Sequence, residues 1–470
     1  MNIRPGFWLR WSWRDLRSRW LQVVAVSIII ALGTGIYSGL SGQRTWRENS
    51  YDDSYALLNM YDLKVKLASG SFIDDAELQT MLAGIDGIDR AEGRLQTATL
   101  VDASEAAATE DSVLIPGVVV GVDLSEGGPR VNGFFIREDA PFDTGRNLTE
   151  ADNGQLVATI PYLTASQYGI EPGSALHISG NVTLEVIGVT MTPEYFLIVN
   201  PDSNNIFSFG NFFPVFVPLE TAQQISGREG LVNDFVLTLQ PNIDPAAVQA
   251  VIEAGMESTF PDVGYTVEDR EDNLIYTQLY QDAEGDQGTW TSLAILFLLG
   301  ASFGVFNLAG RMVESQRRQI GIGMALGVPR RWIALRPMLV GVQIAVLGTF
   351  FGGLMGFLFS QGFGSIMDEF APMPLFEITL YLRGFLVAVA LGIILPVLAT
   401  LIPVWRAVRV SPIDAIKTGH LVAKGGGLSG VLNRLPLPGD SFTQMPFRNI
   451  LRAPWRTLLT VLGIALAILL

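Results

Sequence analysis

The chain has 470 residues, of which 49% are hydrophobic, with two histidines, no cysteine and a formal net charge of −15. The missing cysteines rule out disulfides, thiolate metal sites and cysteine nucleophiles, and His177 and His420 alone cannot build a histidine metal site or a Ser-His-Asp triad. No G-x-x-x-x-G-K-[ST] loop is present to cradle a nucleotide triphosphate, so the expectation is no catalytic residue, metal or cofactor, and no nucleic-acid partner.

Residues 1–19 form a short basic segment, with Arg4, Arg10, Arg14, Arg17 and Arg19 opposed only by Asp15. An apolar run follows at 20–40, long enough for a membrane whose roughly 30 Å core takes about 20 helical residues. The arginines place this end in the cytoplasm. A cleaved signal peptide is the alternative, because Ser38, Gly39, Ser41 and Gly42 follow the run, but the run exceeds an h-region and an uncleaved anchor is preferred.

Residues 41–288 hold 11 Lys and Arg against 39 Asp and Glu, a net charge of −28, and read as one extracytoplasmic domain. Its patterning is α+β. Strands are predicted over 61–67, 94–101, 113–122, 156–160, 175–179, 182–190 and 232–239, and helices over 74–82, 219–225 and 245–257, with a turn at Glu171-Pro172-Gly173. The aromatic stretch from Ile206 to Pro214 reads as core in preference to a lipid-touching loop. The acidic series from Glu268 to Asp286 reads as a solvated stalk in preference to a cation site, because no EF-hand spacing accompanies it.

Three more apolar runs complete the membrane part, at 289–310, 332–360 and 382–405. The connection 311–331 is basic and the outer loop 361–381 is acidic, which keeps the same topology. The runs carry no ionisable group away from their ends, Arg336 and Arg383 being close enough to an interface to snorkel. Such helices suit a mechanical element better than a path for a charged solute. Gly348, Gly352 and Gly356 make a small-xxx-small stripe compatible with close helix approach, and Pro396 and Pro403 are expected to kink the fourth span.

Residues 406–455 read as a cytoplasmic linker, with Gly425-Gly426-Gly427, Pro436 and Pro438, leading to a second copy of the opening motif. Trp13-Arg14-Asp15-Leu16-Arg17-Ser18-Arg19-Trp20 is echoed by Phe447-Arg448-Asn449-Ile450-Leu451-Arg452-Ala453-Pro454-Trp455. A shared need for a basic, interfacially anchored helix would explain the same likeness. A fifth span is expected over 456–470, where the apolar run from Leu458 stops roughly 13 residues into a segment that needs about 20, so the sequence reads as the truncated first repeat of a two-repeat protein.

The loop Arg311 to Arg331 resembles the signature of the FtsX-like, MacB-type ABC transporter permeases, E-x-x-R-R-E-I-G-I-x-x-A-L-G followed by basic residues. Glu314, Arg317, Arg318, Ile320, Gly321, Ala325, Leu326 and Gly327 fit it, whereas Gln319 replaces the usual Glu and Gly323 departs from the larger residue often found there. Pro403, Arg406, Ala407, Arg409, Pro412, Ala415 and Ile416 fit a second pattern after the last span, and Val119 to Asp123, Val186 to Val189 and Val217 to Ala222 are similar to weaker motifs of the outer domain. The resemblance implies a polytopic α-helical membrane protein with a large extracytoplasmic, MacB periplasmic-core-like α+β domain between the first two transmembrane helices. It implies a multi-pass permease of the bacterial inner membrane, whose partners are a cytoplasmic ABC ATPase subunit, membrane lipids and an extracytoplasmic adaptor.

The same resemblance implies that Glu314 to Arg331 forms a coupling helix docked on the ATPase. Its site residues are Glu314, Arg317, Arg318, Ile320, Gly321, Met324, Ala325, Leu326, Gly327, Arg330 and Arg331. Ile320, Met324 and Leu326 are expected to fill a groove while the arginines meet acidic rims or lipid headgroups. Charge and amphipathicity by themselves fit an interfacial helix held by anionic lipid equally well. The function expected is ATP-driven export or extraction of a lipid, lipoprotein, peptide or drug. The rival is a membrane-anchored sensor or regulator of extracytoplasmic partners without transport.

Overall fold

The computed structural model describes residues 5–105, 114–199, 211–379 and 381–412. The linker glycines, His420, the second copy of the opening motif and the fifth apolar run lie outside them. Helices are α1 (Pro5–Ser18), α2 (Trp20–Leu40), α3 (Gln43–Leu57), α4 (Asp75–Ala83), α5 (Tyr162–Tyr168), α6 (Leu219–Ser226), α7 (Pro245–Thr259), α8 (Leu274–Ser315), α9 (Arg317–Ala325), α10 (Arg330–Phe370) and α11 (Leu382–Arg409). Strands are β1 (Leu63–Leu67), β2 (Ile73–Asp74), β3 (Ile88–Asp102), β4 (Leu114–Val122), β5 (Val157–Pro161), β6 (Ala175–Ile178), β7 (Val182–Thr190), β8 (Phe213–Pro218), β9 (Leu231–Val232), β10 (Asp234–Leu239) and β11 (Tyr265–Asp269). The described residues form two compact units, one within Thr45–Glu284 and Ser365–Glu377, the other within Met1–Arg44, Gly285–Gly364 and Ile378–Leu470.

Among the described residues of the chain, four helical segments, beginning at Trp20, Leu274, Arg330 and Leu382, are long and apolar enough to cross a membrane. In the helical unit, glycine sets how closely they cross. A methyl group at Gly352 would overlap the Thr34 hydroxyl, one at Gly356 would overlap Ser38, and one at Gly348 would press on Ile30. The glycine stripe is therefore where α10 meets α2, with backbones closer than any larger residue permits. Gly392 of α11 is equally tight against Thr34 and Thr349. On α10, Phe350, Leu354, Phe357 and Leu358 are exposed, the apolar surface a lipid-facing helix requires. Helix α11 continues unbroken through Pro396 and Pro403, both buried.

The β-rich unit has two parts that share β3. Strands β11, β1, β10 and the first half of β3 pair antiparallel in that order, with α4 and α7 packed on them. The chain order β1–α4–β3 and β10–α7–β11 is a βαββαβ arrangement. Local sequence starts both helices: Asp74 accepts a hydrogen bond from the Glu77 amide at 3.0 Å, and Asp244, followed by Pro245, accepts from Ala246 at 3.1 Å. Everything between β3 and β10 is inserted. From Leu95 onward β3 pairs with β4, and β4, β8, β5, β7 and β6 follow until β6 returns to β3 at Val101 and Asp102. The six strands close into a small barrel whose edges pair with each other, filled by Leu95, Val119, Ile160, Leu184 and Val215.

Helix α3 has no counterpart among the predicted elements. Its inward side is Trp46, Arg47, Ser50, Tyr51, Ser54 and Tyr55, a helical spacing carried by aromatic and polar residues. Residues 365–377 pack on it: Ala371 and Met373 join the cluster around Tyr51 and Tyr55, and Ser54 bonds both the amide and the carbonyl of Leu375. Arg137 clamps Asp368 in the same region through two bonds of 3.0 and 2.7 Å. The acidic series is partly structural. Asp269 and Asp272 tie the turn before α8, Asn273 caps that helix, and Asp282 pairs with the buried Arg47 at 2.5 Å. Phe212 and Phe213 are buried, the core role expected of the aromatic stretch, whereas residues 206–210 lie outside the described positions.

Candidate functional site

The segment from Glu314 to Arg331 folds as a short helix between two long ones. Helix α8 ends at Ser315, α9 begins at Arg317, and the Gln316 carbonyl accepts the Ile320 amide at 2.9 Å. The far end is a Schellman turn. Val328 donates to the Gly323 carbonyl at 3.0 Å and Gly327 to Met324 at 3.1 Å, with Gly327 at φ +82°. A side chain at that left-handed position would cost about 1–2 kcal/mol, so glycine is the residue that lets the chain turn here. Pro329 follows, and its carbonyl accepts the Trp332 amide at 2.9 Å as α10 begins.

The faces of α9 differ in exposure. Gly321 is buried on the helix, which packs against α11, and Arg317, Ile320 and Met324 are half-buried. Arg318, Ile322, Ala325 and Leu326 are exposed, Leu326 at 79%. Arg318, Ile322 and Leu326 follow each other at four-residue spacing and so share one face. Of the expected docking trio, Leu326 is exposed while Ile320 and Met324 are half-buried, and Ile322 and Val328 are further exposed apolar residues of the segment. Counting back four residues from Leu326 would have found Ile322. Glu314, ahead of the helix, and Gly327, Arg330 and Arg331, beyond it, are also exposed.

Two polar links hold the base of this segment. Arg336, expected to snorkel to an interface, instead grips Asp15 of α1 through Nε and Nη2 at 2.7 and 2.8 Å. Arg19 donates to the Ser315 hydroxyl at 2.9 Å. Fork-shaped arginine–carboxylate contacts fix orientation as well as distance.

In the β-rich unit, a buried ion cluster joins the two parts. Lys64 of β1 and Arg94 at the middle of β3 face Asp234 of β10 and Glu194, which sits in the turn after β7. Lys64 is 2.5 Å from Glu194, Arg94 Nε donates to Asp234 at 2.7 Å, and Asn132 donates to Glu194 at 2.8 Å while accepting the Tyr61 amide at 3.1 Å. Two cations and two carboxylates balance. Burial by itself would raise the Glu194 carboxyl, but Arg94 and Lys64 outweigh it and hold the group ionised far below the usual carboxylate range. Among the described residues no group of three His, Cys, Asp or Glu is placed to hold a metal ion.

Family comparisons bear on both units. A model of the FtsX-like permease C-terminal region matches residues 291–412, and a model of the MacB-like periplasmic core domain matches residues 22–254. The chain belongs to the FtsX-like, MacB-type ABC transporter permease family. The macrolide export ATP-binding/permease protein MacB of Bordetella avium is 26% identical over 313 residues, covering 65% of this chain and 44% of the relative. The uncharacterized ABC transporter permease YvrN of Bacillus subtilis is 26% identical over 287 residues, covering 58% of this chain and 65% of the relative. The periplasmic region of MacB from Actinobacillus actinomycetemcomitans aligns at 11% identity with a TM-score of 0.31, over 50% of this chain and 97% of that structure. The chain spans less than half the length of the export proteins of Pseudomonas fluorescens, Pseudomonas syringae and Bordetella avium that it matches by sequence. In family terms the β-rich unit is the periplasmic core domain, and α9 lies inside the permease region.

Proposed function

We propose that this permease is a non-catalytic, multi-pass subunit of the inner membrane with its N-terminus in the cytoplasm. ATP binding and hydrolysis on a separate ABC ATPase move its helices through α9, and the helices move the periplasmic core domain to export or extract a lipid, lipoprotein, peptide or drug. The observation that carries this reading is the exposed Arg318–Ile322–Leu326 face, a helix side with an apolar tip and a basic rim that a Schellman turn holds out from the bundle. Three features support a lever in preference to a conduit: the helices pack through glycine, their interior lacks ionisable side chains, and the 470 residues contain no phosphate-binding loop. The extracytoplasmic adaptor is a further partner of the same assembly.

Contact and packing on α9 can now be tested apart. Ile322→Asp and Leu326→Asp, with Ala325→Asp between them, alter only exposed positions and should abolish copurification of the ATPase while leaving thermal stability unchanged. Gly321→Asp buries a carboxylate and should destabilise the bundle itself. Full copurification by the Ile322→Asp/Leu326→Asp double variant refutes the docking assignment. ATP-dependent extraction from vesicles, lost in that double variant, separates transport from a purely regulatory role.

A further inference from the structure

Helix α1 is more than a leader to the first span. Arg10, Trp13, Arg14 and Arg17 recur at three- and four-residue spacing and all are exposed, with Trp13 at 63%, while Ser12 and Leu16 on the other side are buried. Leu16 belongs to the cluster that holds Val23, Leu308, Met312 and Val340. Arg19 leaves helical geometry at φ −126° and ψ 30°, so α1 is a separate element from α2. Asp15 of α1 and Arg19, the residue that follows the helix, reach the two ends of the α9 segment: Arg19 bonds Ser315, two residues before α9 starts, and Asp15 holds Arg336, in the first turns of α10. A displacement of α1 therefore pulls on both stems of the segment at once.

The outward face of α1 has the chemistry of a membrane surface ligand. Three guanidiniums provide forked donors for phosphodiester oxygens, and an indole among them prefers the headgroup level. The chain continues directly into α2, whose exposed residues Trp20, Leu21, Val24 and Ile28 are apolar. An acidic protein rim would match the arginines but gives no reason for this continuity with a lipid-facing helix. We propose that the Arg10–Trp13–Arg14–Arg17 face binds the headgroups of anionic phospholipid and that, through Asp15 and Arg19, this binding sets the position of α9. The regulatory half rests on the coupling role proposed for α9; the lipid-binding half does not.

The chain has no cysteine, so Leu326→Cys gives a single labelling site on the full-length protein. The label is read in nanodiscs of phosphatidylcholine alone or with phosphatidylglycerol, and retained lipid is counted by native mass spectrometry from mixed micelles. The unaltered face should retain phosphatidylglycerol selectively and change the spectrum of the label. Each arginine near an anionic surface contributes about a fivefold preference, so R10Q/R14Q/R17Q should lower selectivity by up to about a hundredfold and remove the spectral change. D15N should keep the lipid but lose the spectral change, and the charge-exchanged pair D15R/R336D should recover it. Retention of phosphatidylglycerol by the triple variant overturns the proposal. So does a triple variant that keeps lipid selectivity but loses the ATPase, because the face would then be a protein contact. A failed Ile322→Asp/Leu326→Asp test, with lipid selectivity still dependent on the three arginines, removes the coupling role and leaves lipid binding standing.

Discussion

Replacing Glu194 by Gln keeps the side chain's size and removes one negative charge from a cluster closed to solvent. Lys64 and Arg94 then face Asp234 alone, and the β1, β3 and β10 strands carry an unbalanced buried cation. Removing one partner of a buried ion pair costs about 3–5 kcal/mol. Exposed pairs are worth about 0–1 kcal/mol. Against a typical domain stability of about 5–15 kcal/mol, the variant should still fold but open far more often. Hydrogen exchange on the full-length protein in detergent reads this directly, as faster exchange of the Lys64, Val65, Arg94 and Val236 amides, with the amides at the glycine crossings of α2 and α10 unaffected. The double variant Lys64→Met/Glu194→Leu, which leaves the Arg94–Asp234 pair neutral, should recover most of the loss, as apolar replacements of buried pairs commonly do. A cost below about 1 kcal/mol for Glu194→Gln would place these charges in water-like surroundings and refute the argument that they pin the barrel to the βαββαβ part.

Two further outcomes follow from the same structure. Gly352→Ala should lower the yield of monodisperse protein in size-exclusion chromatography because the new methyl meets Thr34, whereas Gly362→Ala, with open space around it, should not. Equal behaviour of the two variants would mean that α10 and α2 do not cross there. Asp152 is held by the Arg146 guanidinium at about 2, below its ordinary 3.8. A depressed carboxylate adds stability above its unfolded pKa and loses it as the pH falls through the folded one. The difference in melting temperature between the parent chain and Arg146→Ala should thus be constant above about pH 5 and shrink as the pH falls through about 2, with a difference as large at pH 2 as at pH 5 counting against the pair.

Much of the architecture is legible in the chain. The four long apolar helices declare themselves by length, because a continuous apolar run of about 20 residues crosses a bilayer as a helix that satisfies its own backbone polar groups. Most strands of the core domain alternate clearly enough to be placed, and Asp74 and Asp244 announce the helices they cap. Helix α3 escapes because its buried stripe is Trp46, Arg47, Ser50, Tyr51, Ser54 and Tyr55, which no scale of aliphatic hydropathy registers. Strand β11 escapes as part of an acidic run, although β1 pairs with it along five residues. The degree of exposure along α9 is not legible for a related reason. Alternate apolar residues at Ile320, Ile322 and Met324 could point either way until α11 covers one side.

Length, hydropathy and the distribution of charge determined by themselves that apolar spans flank one large acidic domain, and the resemblance carried by the Glu314 to Arg331 run pointed to the permease family. Those properties depend on residues counted along the chain or compared over a short run. The barrel inserted into the βαββαβ part, the Lys64–Arg94–Glu194–Asp234 cluster, the clasp of Asp368 by Arg137 and the links from Asp15 and Arg19 to the stems of α9 were decided only in three dimensions. Each joins residues from separate elements, most of them a hundred or more positions apart. A charged residue in a sequence looks solvated until folding supplies the opposite charge and removes the water between them.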